Sequence, residues 1–337
     1  MLFRSPKPQT PFFVGDQNFC FCIMGNSNCC AAHPEESLML NSRSMTQTNH
    51  IAPVTEDELK SINKPPIEIA SLHVMNRPSQ EVILVLNKKP GFKWDKEERF
   101  SAHKFPVQGP YRYEDGSTYE GQYKNGLRHG RGKQVWADGA YYEGYWYEDK
   151  MEIKGRAVAR SGDYYEGEMS DNNKSGNGHG ETTDGAQFTG RFENGLKSGV
   201  GVETYPDGSR YEGMFKAGLK HGTGKYTSVG EGSVYEGEFN KNKIYGKGKK
   251  LWIDGKCYDG GWKLNKQHGH GVFIWPDGRK YVGDYRDDLK HGYGIFTWKN
   301  GKEYKGQWEF GKQEGNGSLS LADGTKQEGY WKSGVLS

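Results

Sequence analysis

The residue types that could do chemistry in this chain recur at fixed intervals. His129, His221, His268 and His291 share one position of a repeating pattern, and Cys257, His268 and His270 add a loose trio of metal-ligand types. A zinc site needs several such groups about 2 Å from one ion. Histidines one repeat apart on a strand-built array stand about 10 Å from each other, because two strands at roughly 4.8 Å separate them. The pattern therefore assigns these histidines to turns and argues against a shared metal. Gly218-Leu219-Lys220-His221-Gly222-Thr223-Gly224-Lys225 imitates a phosphate loop, but its glycines are wrongly spaced and Tyr226 stands where Ser or Thr must hold magnesium. Gly176-Asn177-Gly178-His179-Gly180 is likewise a fragment of the repeat and no dinucleotide fingerprint. No Ser-His-Asp or paired-carboxylate grouping stands apart from the periodic background. The reading is a non-enzyme with no cofactor and no metal.

Two binding chemistries remain. Lys241, Lys243, Lys247, Lys249 and Lys250 head a stretch ending at His270 that holds eight lysines and two aspartates. Each lysine near an anionic lipid surface contributes about 1 kcal/mol, so these are lipid-headgroup candidates. Met24-Gly25-Asn26-Ser27-Asn28-Cys29-Cys30 has the form of a myristoylation start followed by palmitoylatable cysteines, provided translation begins at Met24, with Cys29 where Ser or Thr is usual. One acyl chain anchors only marginally, and Cys29 and Cys30 would supply the second anchor.

The elements that carry these groups are built from rings and glycine. Hydrophobic residues make up only 33% of 337 residues, too little for a large aliphatic core, yet 21 Tyr, 15 Phe and 9 Trp exclude a disordered composition. Formal charge is +3, which gives no global case for nucleic acid. Four of five cysteines crowd into positions 20–30, unlike a disulfide framework, so a reducing intracellular setting is expected. No run approaches the roughly 20 apolar residues of a spanning helix.

An aromatic-x-Gly triplet recurs at Tyr119, Tyr142, Tyr165, Phe188, Tyr211, Tyr235, Tyr258, Tyr281 and Tyr304, with a degenerate tenth at Gln327, and eight of the nine intervals are 23 residues. Repetition at a fixed period marks a quasi-one-dimensional architecture. Four places after the first ring stands a second large residue: Tyr123, Trp146, Met169, Phe192, Phe215, Phe239, Trp262, Tyr285, Trp308 and Trp331. Offsets of zero, two and four share one strand face, so each first strand presents ring, gap, ring. The seventh place is always Gly, Asn or Asp, types that tolerate a left-handed backbone, so a tight turn belongs there. A second strand opened by Gly-x-Gly and an Asp-Gly turn close the unit. The result is an all-β, elongated, twisted antiparallel meander of about ten hairpins, on the order of 100 Å long at roughly 4.8 Å per strand.

The form Tyr-Glu-Gly-x-(Tyr/Trp/Phe)-x-x-Gly-x-x-His-Gly-x-Gly, as in Tyr119 to Gly132 and Tyr211 to Gly224, resembles the membrane occupation and recognition nexus, or MORN, repeat over positions 111–337. Ile153 replaces a glycine, and Glu152, Ser175, Ser198, Tyr245 and Glu314 replace the usual histidine. Arrays of this family occur in junctophilins at membrane contacts, radial-spoke heads of cilia, cortical scaffolds of protists, phosphatidylinositol phosphate kinases and a SET-class methyltransferase. The resemblance implies a scaffold or adaptor. Its partners are expected to be proteins, including a helix laid in an aromatic groove formed by Tyr119, Tyr123, Tyr142, Trp146, Tyr211, Phe215, Tyr235, Phe239, Tyr258, Trp262, Tyr281, Tyr285, Tyr304 and Trp308. An anionic membrane and a homodimer through the array ends complete the expected partners. The expected location is the cytoplasmic face of a membrane, the cell cortex, or a cilium or cytoskeleton. The alternatives are an axonemal component similar to radial-spoke heads and a regulatory relative of the lipid kinases without the kinase domain.

Ahead of the array, positions 1–54 read as a disordered segment and 55–110 as a short cap or linker. Thr55-Glu56-Asp57-Glu58 has capping-box spacing for a helix ended by Pro65, and Glu81 to Leu86 reads as a buried strand that caps the first repeat.

Overall fold

The computed structural model describes residues 76–94 and 105–337. The acylation motif at 24–30 and the helix expected after Thr55 lie outside these residues. Among those described, one helix, α1 (Gln80–Lys88), precedes 21 strands that run from β1 (Val107–Arg112) to β21 (Val335–Leu336). Each strand is antiparallel to the next in sequence, giving one open meander sheet with β1 and the two-residue β21 at its edges.

The repeat unit is seen in β14 (Cys257–Lys263) and β15 (Lys266–Ile274). Leu264 and Asn265 join them with φ of 52° and 68°. Both residues of the two-residue turn are thus left-handed, the geometry whose twist matches the flanking strands. Sequence chemistry marked only the second of them. The first is Glu148, Leu264 or Phe310 in different repeats, so the hairpin imposes αL on residues that do not favour it. The Asn or Asp at the second place also clips hairpins together. The Asn265 side chain accepts the Ile244 N–H at 2.7 Å, and Asp288 accepts that of Gln267 at 2.7 Å.

Gly260 and Gly271 face each other across the pair, and the Tyr258 ring lies over both. A Cβ on Gly260 would sit 2.5 Å from the Gly271 Cα, and one on Gly271 would sit 2.5 Å from the Tyr258 hydroxyl. Just past Gly260 the register shifts, and Tyr258 donates its hydroxyl to the Gly261 carbonyl at 2.9 Å. The same hydroxyl-to-carbonyl contact, three residues on, recurs at Tyr119, Tyr142, Tyr165, Tyr211, Tyr235, Tyr281 and Tyr304. Phe188 has no hydroxyl to make it.

Each second ring wedges edge-on between two first rings. Trp262 lies 5.0 Å from Tyr258 at 89° and 5.5 Å from the preceding Tyr235 at 85°. Its indole N–H also donates to the Gly248 carbonyl at 2.9 Å. This edge-to-face ladder passes from repeat to repeat and lapses at Met169, which has no ring. Edge-to-face pairs add about 0.5–1.5 kcal/mol beyond their area.

Two expectations need correction. Glu81 to Leu86 is not a strand but part of α1, because Ser79 accepts the Val82 N–H at 3.3 Å as N-cap while Glu81 and Lys88 complement the helix ends. A continuous apolar run cannot separate helix from strand by period alone. Nor does this segment cap the first repeat. Strand β1 pairs with β2 (Thr118–Lys124), and α1 lies farther along the sheet.

Ile153, at φ 64°, stands where other repeats place a left-handed glycine such as Gly269 at 70°. Ile153→Gly is expected to raise stability by about 1 kcal/mol, the cost of αL for a non-glycine. Gly260→Ala should lower it by about 3 kcal/mol through overpacking, and Tyr258→Phe by about 1 kcal/mol through one lost hydrogen bond. Urea unfolding of the three variants checks both signs and the order.

Candidate functional site

The sheet has two faces with different chemistry. On the first, the rings expected to line an open partner groove are the interior of the protein. From Tyr119 and Tyr123 through Tyr304 and Trp308, none of them is more than 6% exposed. Neighbouring rings close over them, so a half-buried rim stands at the surface in place of an open groove of rings. That rim consists of half-buried rings at and just past the ends of the second strands, Trp252, Phe273, Trp275 and Trp298 among them, packed against the buried row.

A cation nine places after the first ring, at Arg128, Lys174, Lys197, Lys220 and Lys290 but not at Met151, Ile244, Gln267 or Gln313, went unnoticed in the sequence. Arg128 lies 4.2 Å over Trp146 and pairs with Asp149 at 2.9 Å. Lys174 lies 5.1 Å over Tyr165, Lys197 5.3 Å over Phe188, and Lys220 4.9 Å over Tyr205. Glu203 joins the middle pair, meeting Lys197, Lys220 and the Tyr205 hydroxyl. Burial alone would raise the Glu203 carboxyl, but these three partners hold it below the usual range. Lys290 is nearest Phe296 and Trp308, at 4.4 and 4.6 Å.

The opposite face carries the N-terminal segment. Val82 is buried against Val158 and Tyr164, with Val85, Leu86 and Tyr141 around them. Ser79 N–H donates to the Gly139 carbonyl at 3.0 Å, and Lys89 pairs with Glu181 at 2.5 Å. Downstream of α1, Trp94 meets the Tyr145 ring edge-on at 5.3 Å, and Phe92 lies beneath Lys154 and Arg156. In later repeats the corresponding residues are Leu251, Cys257 and Ile274, which pair in register, and Tyr293. Leu251 is 50% exposed, Ile274 43% and Tyr293 60%.

The lysine cluster does not form one patch. Lys243, Lys247 and Lys249 alternate on the second face of β13 (Lys243–Trp252) and are exposed. Lys241 is in the preceding turn. Lys250 points to the ring face, pairs with Glu231 at 2.6 Å and lies 5.2 Å over Trp252. Lys249 is flanked in register by Glu236 and Asp259.

Among the described residues no group of three His, Cys, Asp or Glu side chains is placed to hold a metal, and no helix is long and apolar enough to cross a membrane. His270 lies 3.2 Å from Asp284. The Gly218 to Lys225 stretch is a hairpin turn and a doubly paired strand, with no helix after it to receive a phosphate.

The MORN-repeat family model matches eight segments, 119–141, 165–179, 188–210, 211–231, 235–257, 258–278, 281–303 and 304–326. The chain belongs to the MORN-repeat family. The unmatched stretch between the first two segments contains Ile153, the irregular position of the array. No curated protein matches the sequence. Among solved structures, the chain is similar to the TCP10 domain of Danio rerio CPAP in complex with a STIL peptide, at 10% identity and TM-score 0.33, covering 66% of this chain and 98% of that one. It is also similar to the CPAP G-box domain at 13% identity and TM-score 0.31, covering 60% and 100%. A third is the Drosophila SAS-4 TCP domain with a proline-rich motif of Ana2, at 12% identity and TM-score 0.26, covering 60% and 90%. TM-scores this low do not amount to a shared overall shape.

Burial pushes the MORN tyrosines upward: Tyr211 rises to about 12, and Tyr235, Tyr258 and Tyr281 are raised by the same desolvation. Folding favours the neutral phenol, so this stability is fully present below the unfolded value of about 10 and is lost as pH climbs above it. Urea midpoints should therefore hold level to about pH 9 and fall steadily above about pH 10. A flat profile to pH 12 would contradict the burial of the phenols.

Proposed function

We propose that the chain is a non-catalytic MORN scaffold that binds partner proteins on the sheet face opposite its rings. The observation that supports this reading is the segment already seated there: α1 with Phe92 and Trp94 covers Tyr145, Val158 and Tyr164. The same face of the later repeats, at Leu251, Ile274 and Tyr293, is left exposed by the described residues. The surface therefore suits a short amphipathic helix whose apolar residues recur every third or fourth place.

Membrane association is the second element. Lys243, Lys247 and Lys249 share the exposed face and would sit near anionic headgroups, acting with an anchor at Gly25, Cys29 and Cys30 when translation starts at Met24. Three lysines at about 1 kcal/mol each correspond to on the order of 100-fold in affinity.

Proximity labelling of full-length protein is expected to lose most specific neighbours in Leu251→Asp/Ile274→Asp while thermal stability is unchanged. An unaltered neighbour set would remove the docking face from the proposal. For the membrane element, Lys243→Gln/Lys247→Gln/Lys249→Gln should weaken salt-sensitive binding to phosphatidylserine vesicles, and Gly25→Ala in a Met24-initiated form should reduce membrane partition. If neither changes, a cytoskeletal or ciliary setting without lipid contact takes its place.

A further inference from the structure

Lys290 departs from three other ring-capping cations of the array, Arg128, Lys197 and Lys220. Arg128 has Asp149 beside it, and Lys197 and Lys220 share Glu203. The place that Glu203 holds, fifteen after the first ring, is occupied by Phe296 in the repeat of Lys290. Four rings lie within reach of the half-buried ammonium: Phe296 at 4.4 Å, Trp308 at 4.6 Å, Tyr281 at 5.5 Å and Trp275 at 5.7 Å. Its amine makes no hydrogen bond and no ion pair among the described residues. Burial, with repulsion from Arg279, holds it down to about 8.

Beside it opens a cavity of about 280 Å³ walled by Lys290, Phe296, Trp298, Trp308, Lys312 and Gln313, with two glycines completing the lining. No acidic side chain lines it, so two ammonium groups and an amide face the same space. A cation partly desolvated by rings and lacking a counter-ion gains from an anion brought against the same ring-lined wall.

We propose that the Lys290 cavity is a binding site for a carboxylate side chain of a partner peptide, a Glu or Asp flanked by apolar residues. The ammonium of Lys290 takes the carboxylate, Lys312 reinforces the field from the rim, and the half-buried Trp298 receives the flanking apolar groups. The volume fits a single acidic side chain with its neighbours. A phosphate dianion would leave most of its oxygens unmatched, because the lining holds no guanidinium. This site lies on the ring side of the sheet, opposite the docking face proposed above, so either can fail alone.

Isothermal titration of the full-length protein with acetyl-Leu-Glu-Leu-amide and acetyl-Leu-Gln-Leu-amide tests the site, with inorganic phosphate as a third probe. The Glu peptide is expected to bind at least about tenfold more tightly than the Gln peptide, the lower end of what a close charge pair contributes. Lys290→Met should abolish that difference, and Lys290→Arg should retain most of it. Circular dichroism of both variants verifies the sheet, and Lys290→Arg keeps the test valid should Lys290→Met fail to fold. Equal binding of the two peptides, an unchanged preference in Lys290→Met, or phosphate binding tighter than the Glu peptide would each overturn the proposal.

Discussion

A phenol ring lying across two backbone glycines is the contact on which the rest of this protein depends. In a single-layered sheet no second layer exists to bury side chains, so the protein must be its own cover. Gly260 and Gly271 let the Tyr258 ring descend onto the backbone, and the hydroxyl then reaches the Gly261 carbonyl where the register shifts. Ring, glycine pair and bulge are one device. A side chain at either glycine would lift the ring and strand the carbonyl together.

From that contact the packing propagates in one dimension. Trp262 enters edge-on between Tyr258 and Tyr235, and the pattern repeats until Met169. Hairpin-to-hairpin clips such as Asn265 to Ile244 fix the spacing between units. Each repeat thus relies on its immediate neighbours, as in other solenoids. The cost of using rings as a core is that they leave the list of available binding groups. What remains at the surface is the half-buried rim and the opposite face.

The opposite face carries the segment that precedes the array. Helix α1 and the strap bearing Phe92 and Trp94 settle on Tyr145, Val158 and Tyr164, using backbone carbonyls at Gly139 and Arg160 as fixed points. At the place that Glu203 holds in its own repeat, the repeat of Lys290 carries Phe296, so that ammonium lies among rings without a carboxylate.

The repeat, its strands, the turns and the all-β meander were legible in the sequence, because rings at period two and left-handed turn residues recur in register along the array. The ring positions were legible too, but not their burial, since period two places a ring on a face without saying whether that face is open. Even so, the constant offset of Arg128, Lys174, Lys197, Lys220 and Lys290 was available to be read. The helical state of Glu81 to Leu86 depended on a cap at Ser79 and a docking surface 60 to 80 residues away, and the division of Lys243, Lys247 and Lys249 from Lys250 depended on strand register. Local periodicity determines what each residue can do within its hairpin. Which groups meet across hairpins, and which are then hidden from any partner, is decided only when the sheet twists and its rings close on one another.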